Sequence, residues 1–391
     1  MKIKKILSLA LMTLLLCLPM WALAAQSISI NDGEKVTLTG TLSQGYDIRV
    51  TGDATLVLDH VNITALENDY AVLHLKGDGN LNVIFKGNNV LTHSNVYGIF
   101  SDEVCVTLTP DGNDASLRVN AAEAGINADY VNIGAGARID VLSDGNAFDC
   151  QELNIGSDAV LNVDGGWHGL NVTKHAAIGK NATVNARGNF NGVCLSVDFM
   201  MLEEGARLNA YSDAFVDRDG TIRREGMPFD AWNSKVIIKN GAELNATSDA
   251  SEYAAELAEA SLIVEAGGKL NIINNYSAGL GLFMEDGCAM QFNSTDVTIS
   301  GDRAAIEGEG TIRCGEGVAA VHREKETDKW ERMLGNTTDR RYFRTMDEAL
   351  APKLEMNLPN TGDESSIIFW AVLACMSLLG VAMLARRRKA A

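Results

Sequence analysis

Along most of this chain, apolar residues alternate with polar ones over short runs that end at glycine, asparagine or aspartate. That pattern predicts short half-buried β-strands joined by tight turns. The pattern also repeats. Gly136–Val141 (GARIDV) returns as Asp158–Val163 (DAVLNV), Asn181–Ala186 (NATVNA), Gly205–Ala210 (GARLNA), Gly241–Ala246 (GAELNA) and Gly267–Ile272 (GGKLNI). The polar residue between two apolar ones falls at Asp140, Asn162, Asn185, Asn209, Asn245 and Asn271, at intervals of 22, 23, 24, 36 and 26. A second phase, Gly125-Ile126, Ala147-Phe148, Gly169-Leu170 and Gly192-Val193, recurs every 22 or 23 residues.

A unit of this size, with two or three strands and no helix, cannot bury its own apolar face, whereas stacked units can. The expected fold is therefore all-β: a single-stranded parallel β-helix over residues 25–321, a solenoid of the pectin-lyase-like kind. At about 22 residues per coil it would have roughly 13 coils. A propeller would need blades of about 40 residues with four strands each. Ala54–Leu58, Val61–Ile63, Asn80–Phe85 and Asn89–Leu91 continue the pattern less regularly towards the N-terminus. With Val36–Gly40 before it, this stretch resembles the β-helical carbohydrate-binding-domain family of bacterial surface proteins. The resemblance implies a fold more than a ligand.

Two insertions break the period, at 213–233 and 248–260, the second holding a helix-prone Tyr253–Glu259. Arg323–Leu334 carries a helical pattern suited to capping the open end of the stack, and 339–357 reads as linker, so 322–357 is expected to be a capping helix and wall-proximal linker.

Composition narrows the function. The 391 residues are 46% hydrophobic with 37 glycines and only 5 prolines, which fits a large folded body and neither a collagen nor a disordered polymer. The net charge is −18, and the middle of the chain is more acidic still, because both ends are basic. Such a body repels phosphate backbones, so nucleic acid is not an expected partner.

Residues 1–24 read as a secretory signal peptide, with Lys2, Lys4 and Lys5 before an apolar core and Ala22-Leu-Ala24 at the cleavage site. Residues 367–385 are uncharged and long enough to form a transmembrane helix, followed by the basic tail Arg386–Lys389 within the segment 363–391. Immediately before them stands Leu358, Pro359, Asn360, Thr361, Gly362. The order of pentapeptide, apolar span and basic tail resembles the LPXTG cell-wall sorting signal of Gram-positive surface proteins. Pro359 holds the peptide extended, so that an enzyme can read it as a strand. By that resemblance, a sortase cysteine attacks the Thr361 carbonyl, releases Gly362 onward and passes the acyl group to a peptidoglycan amine. The membrane is then only a transient station.

Catalytic chemistry finds no match. Parallel β-helices host polysaccharide lyases and hydrolases, yet Trp167-His-Gly-Leu170 is the nearest approach to a polygalacturonase-like Gly-His-Gly and has no aspartate pair beside it, so His168 is expected to be a turn residue. The histidines have no zinc-ligand spacing, and Asp217-Arg-Asp-Gly220 lacks the ligand positions of an EF-hand, although aspartate-rich turns leave irregular calcium binding open. No cofactor is expected. Cys105, Cys150, Cys194, Cys288 and Cys314 are odd in number and spaced by about even numbers of coils, so buried thiols stacked two coils apart are expected rather than disulfides. Sugar binding needs aromatic faces beside amides or carboxylates. Trp167 and Phe190 each follow a repeat triplet by four residues and share a column; Phe215 and Trp232 lie on the adjacent insertion. The expected function is a wall-anchored binding or adhesion module for a glycan or host-surface ligand. The alternatives are a polysaccharide-cleaving enzyme or a ligand-free stalk.

Overall fold

The computed structural model describes residues 25–353 apart from 214, 217–221 and 224–225, with side chains outside 214–225. The expected leader at 1–24, the pentapeptide at 358–362 and the apolar span at 367–385 lie outside the described residues, as does the Phe215 side chain.

The described chain is strand and turn without a helix, and it winds into a parallel β-solenoid. Each coil gives one strand to each of three sheets. His168–Ile178 bends from sheet I (168–172) into sheet II (175–178), and Thr183–Gly188 follows in sheet III. The period-2 alternation sends one side of every strand inward. In sheet I, Leu73, Ile99, Ile126, Phe148, Leu170, Val193, Phe229, Ala255, Leu282 and Ile306 are register partners from coil to coil, each with zero exposure. With the matching columns of sheets II and III they form one continuous core. Each fully buried Leu, Ile, Val or Phe contributes about 1.5–3 kcal/mol, gained only when coils stack.

The turn from sheet II to sheet III explains the glycine, aspartate or asparagine that opens each repeat. Gly136, Asp158, Asn181, Gly205, Gly241 and Gly267 all take φ between 56° and 78°. Glycine enters this left-handed region freely, and the short polar side chains tolerate it. The alanine that follows in the first five of these turns (Ala137, Ala159, Ala182, Ala206, Ala242) has zero exposure, tucked beneath the turn.

Several expectations are corrected. The solenoid makes about 11 turns, not 13. Its early coils are longer than 22 residues, as the 26- and 27-residue steps from Leu73 to Ile99 to Ile126 show, and the last stretch of chain leaves the solenoid path. The first insertion ends earlier than expected, because Met227–Trp232 is a regular sheet I strand and only the preceding loop, with a small Phe215–Val216/Ile222–Arg223 hairpin, departs from the coil. Tyr253–Ala258 is a sheet I strand and no helix, held between Met227–Trp232 and Leu280–Met284.

The cap is also β-structure. No helix forms over 323–334, and 339–351 is no linker. Val318–Arg323 pairs antiparallel with Tyr342–Asp347, which also lies antiparallel against Asp296–Ser300 of sheet III. Phe343 is fully buried, 5.8 Å from Phe292 between ring centroids. Thr338 and Arg340 bond across to Ile306 and Ala305 at the edge of sheet I, and Asn336 accepts from the Ile312 amide of sheet II. All three sheet edges thus receive partners from this returning segment. The compact unit that holds the solenoid runs on to Ala351.

The cysteines do not share a column. Cys150 faces inward in sheet I, Cys194 faces outward there opposite Asp230, Cys288 is buried before a sheet II strand, and Cys314 is exposed. All five are free thiols.

Candidate functional site

The polar residues of the repeat stack on the outer face of sheet III. Asp140, Asn162, Asn185, Asn209, Asn245 and Asn271 are register partners in sequence. Each asparagine donates from Nδ2 to the Oδ1 of the residue one coil earlier, at 2.7, 2.7, 2.7, 2.8 and 2.8 Å. Arg118 closes the start of the ladder, 3.5 Å from Asp140. A primary amide has two N–H donors and two carbonyl lone pairs, so at Asn162, Asn185 and Asn209 one of each is left for an outside partner.

Two residues further along each strand runs a second row, Leu142, Asp164, Arg187 and Tyr211. Between the rows lies a groove of about 490 Å³ reaching from Arg118 to Asn209. Its wall is mixed in character. Leu142 is 53% exposed. Arg187 bonds Asp213 and lies 5.4 Å from the Tyr211 ring, while Tyr211 donates to Asp249 at 2.7 Å, which pushes its hydroxyl pKa up to about 12.

Beyond Asp164 and Arg187 the chain turns into sheet I, and there Trp167 and Phe190 stack at 4.7 Å with planes 10° apart. The shared column expected for this pair is therefore present. Their backbones are joined as well, since the Phe190 amide donates to the Trp167 carbonyl at 2.9 Å. His168 begins the next strand, edge-on to both rings, instead of being a turn residue. Burial holds its pKa down at about 4, so it is neutral at physiological pH. The strand Phe215–Val216 leaves from the same corner, because Ser212 ends the sheet III strand beyond Tyr211. Trp232 does not join this group. It ends its sheet I strand at the opposite corner, beside Ala258.

An aromatic cluster passed over in the sequence sits on the outer face of sheet I. Tyr70, His74, Tyr97 and Phe100 have ring centroids 4.6 to 5.6 Å apart, with His74 bonded to Asp47 at 3.0 Å and Tyr97 to Glu123 at 2.8 Å. The 26-residue step from His74 to Phe100 was the available signal. Further along the same face, Asp230 and Glu256 are register partners, and burial raises the pKa of both carboxyls. Asp230 accepts from Asn191 at 3.0 Å and faces Cys194, whose thiol is pushed up to about 12 by burial and the carboxylate. Among the described residues no three His, Cys, Asp or Glu side chains gather as a metal site.

Comparison with known families finds the LPXTG cell wall anchor motif over residues 357–391. Neither a curated protein nor a solved structure matches the chain. The molecule is thus a parallel β-solenoid carried on a sortase-type anchor. It is a secreted surface protein of the Gram-positive, cell-wall-anchored kind, and its pentapeptide Leu358–Gly362 is consistent with sortase processing and attachment to peptidoglycan.

Proposed function

We propose that the solenoid is a glycan-binding module displayed on the wall, that an extended glycan lies along the sheet III groove, and that it catalyses no reaction. The amide ladder carries this reading. Coils recur about every 4.8 Å, and each of Asn162, Asn185 and Asn209 offers one donor and one acceptor lone pair on that repeat. A sugar hydroxyl is both donor and acceptor, so successive sugars of a polymer match such a row. Leu142 and Tyr211 supply apolar faces for the C–H sides of the rings, and the Trp167–Phe190 stack supplies another at the corner.

The polysaccharide-cleaving alternative draws on the Asp230–Glu256 pair, the one place among the described residues where adjacent carboxyls have raised pKa values. That pair lies on sheet I, away from the groove of sheet III.

The test is a glycan screen of the purified full chain beside Leu142→Glu and Trp167→Ala. The groove reading expects at least a tenfold loss of glycan binding in Leu142→Glu with an unchanged melting temperature. Loss in Trp167→Ala alone moves the site to the corner. An array without any hit refutes glycan binding, and shortened or unsaturated products from a bound polymer establish the enzyme.

A further inference from the structure

The cap contains a second cavity, of about 720 Å³. Val321 faces Arg344 and Arg323 faces Tyr342 across the antiparallel pair, so both arginines leave the same face. Trp330 covers that face, with the Arg323 guanidinium 4.3 Å and the Arg344 guanidinium 4.2 Å from its ring centroid. Two like charges are thus held on one indole beside a cavity.

Neither has a carboxylate within ion-pair distance among the described residues, and the Nε of each is buried without a hydrogen-bond partner. Their neighbours are different. Arg341 pairs with Asp302 at 2.7 Å and with Glu324 at 3.5 Å, and Arg332 pairs with Glu348 at 2.8 Å. In a chain with 51 acids and 33 bases, acids are plentiful, yet none among the described residues forms an ion pair with either arginine, although Glu324, Asp328 and Glu331 line a smaller cavity with Arg323. Burial and the charge of Arg323 push the Arg344 pKa down, the mark of a cation short of counter-charge. Glu326 also lines the cavity; set with Asp302 against Arg323, Arg341 and Arg344, it leaves the lining one positive charge in excess. Asn275 and Ser300 add neutral polar groups.

We infer that this cavity is an oxyanion site, in which Arg323 and Arg344 bind a carboxylate, phosphate or sulfate group. Guanidinium N–H groups suit such oxygens, and an anion there supplies the counter-charge that the two arginines lack and offsets the repulsion between them. The anion is free or borne by a polymer. The cavity continues the row of the groove, since Tyr211, Thr247, Ile273 and Ser300 follow one another by register. An acidic glycan lying along sheet III would reach it.

The experiment titrates the full chain at constant ionic strength with inorganic phosphate, sulfate, polygalacturonate and neutral dextran, following heat of binding and melting temperature. Saturable binding of an anion is expected, at least tenfold weaker in Arg323→Gln and in Arg344→Gln. Binding of polygalacturonate without phosphate marks a polymer-borne group; binding of phosphate alone marks a free anion. The inference is overturned if no anion saturates the unmodified chain, if dextran binds there equally, or if either variant binds as the parent does. A variant that fails to fold leaves the decision to the unmodified chain. Leu142→Glu does not alter phosphate or sulfate binding and Arg344→Gln does not alter neutral-glycan binding in the groove, so the two sites fail separately.

Discussion

At the scale of single residues, the alternation showed which side chains face outward but not what they do there. Asp140 and the five asparagines after it were legible as a column because the repeat is nearly fixed in length. Their amide-to-carbonyl chain was not, since hydrogen-bond partners come from the stacking of coils and not from neighbours in sequence. His168 shows the same gap. Sequence placed it in a turn, whereas the structure buries it edge-on to Trp167 and Phe190, with Nδ1 lacking a partner. Its folded pKa of about 4 lies below the ordinary 6.5, so the neutral form favours the folded state. That stability is intact above pH 6.5 and is lost as pH falls towards 4. His168→Gln should therefore flatten the decline in melting temperature between pH 6.5 and 4, as measured by thermal unfolding across that range. An unchanged slope would show that the imidazole is not the sensitive group.

At the scale of elements, turn chemistry was readable and element type sometimes was not. Tyr253–Ala258 is rich in alanine, leucine and glutamate, which favour helix in isolation. Pairing with the coils on both sides overrides that preference, as tertiary context commonly does. Met227–Trp232 was hidden because a long loop precedes it and Pro228 breaks its look of a strand, and Trp232 was placed with the wrong neighbours in consequence. The II–III turn gives a sharp test. Gly241 has φ 71°, and a Cβ built there meets nothing closer than 3.6 Å. Asn181 and Asp158 occupy the equivalent place in other coils. Gly241→Asn should leave stability within about 0.5 kcal/mol of the parent, whereas Gly241→Val should cost about 1–2 kcal/mol for a β-branched residue at positive φ. Urea unfolding of both variants checks this.

For the whole molecule, the fold was legible because one repeat states one coil, and the address because the anchor motif is local and ordered. Replacing Thr361 by alanine should move the protein out of the covalently bound wall fraction, read by fractionation of cells producing each form; equal wall attachment would mean another anchoring route. The number of coils was overestimated because the final segment does not continue the winding but turns back across it. That reversal has a consequence beyond closing the core. Parallel coils are polymerisable by construction, as an identical edge can always receive an identical strand, which is how cross-β filaments lengthen. Here the edge of sheet III ends in a strand of opposite direction, with backbone contacts from the same segment on sheet I and the Asn336 side chain on sheet II. The first coil of a second copy finds no continuing parallel register there. The returning segment therefore works against end-to-end threading of copies crowded on one wall.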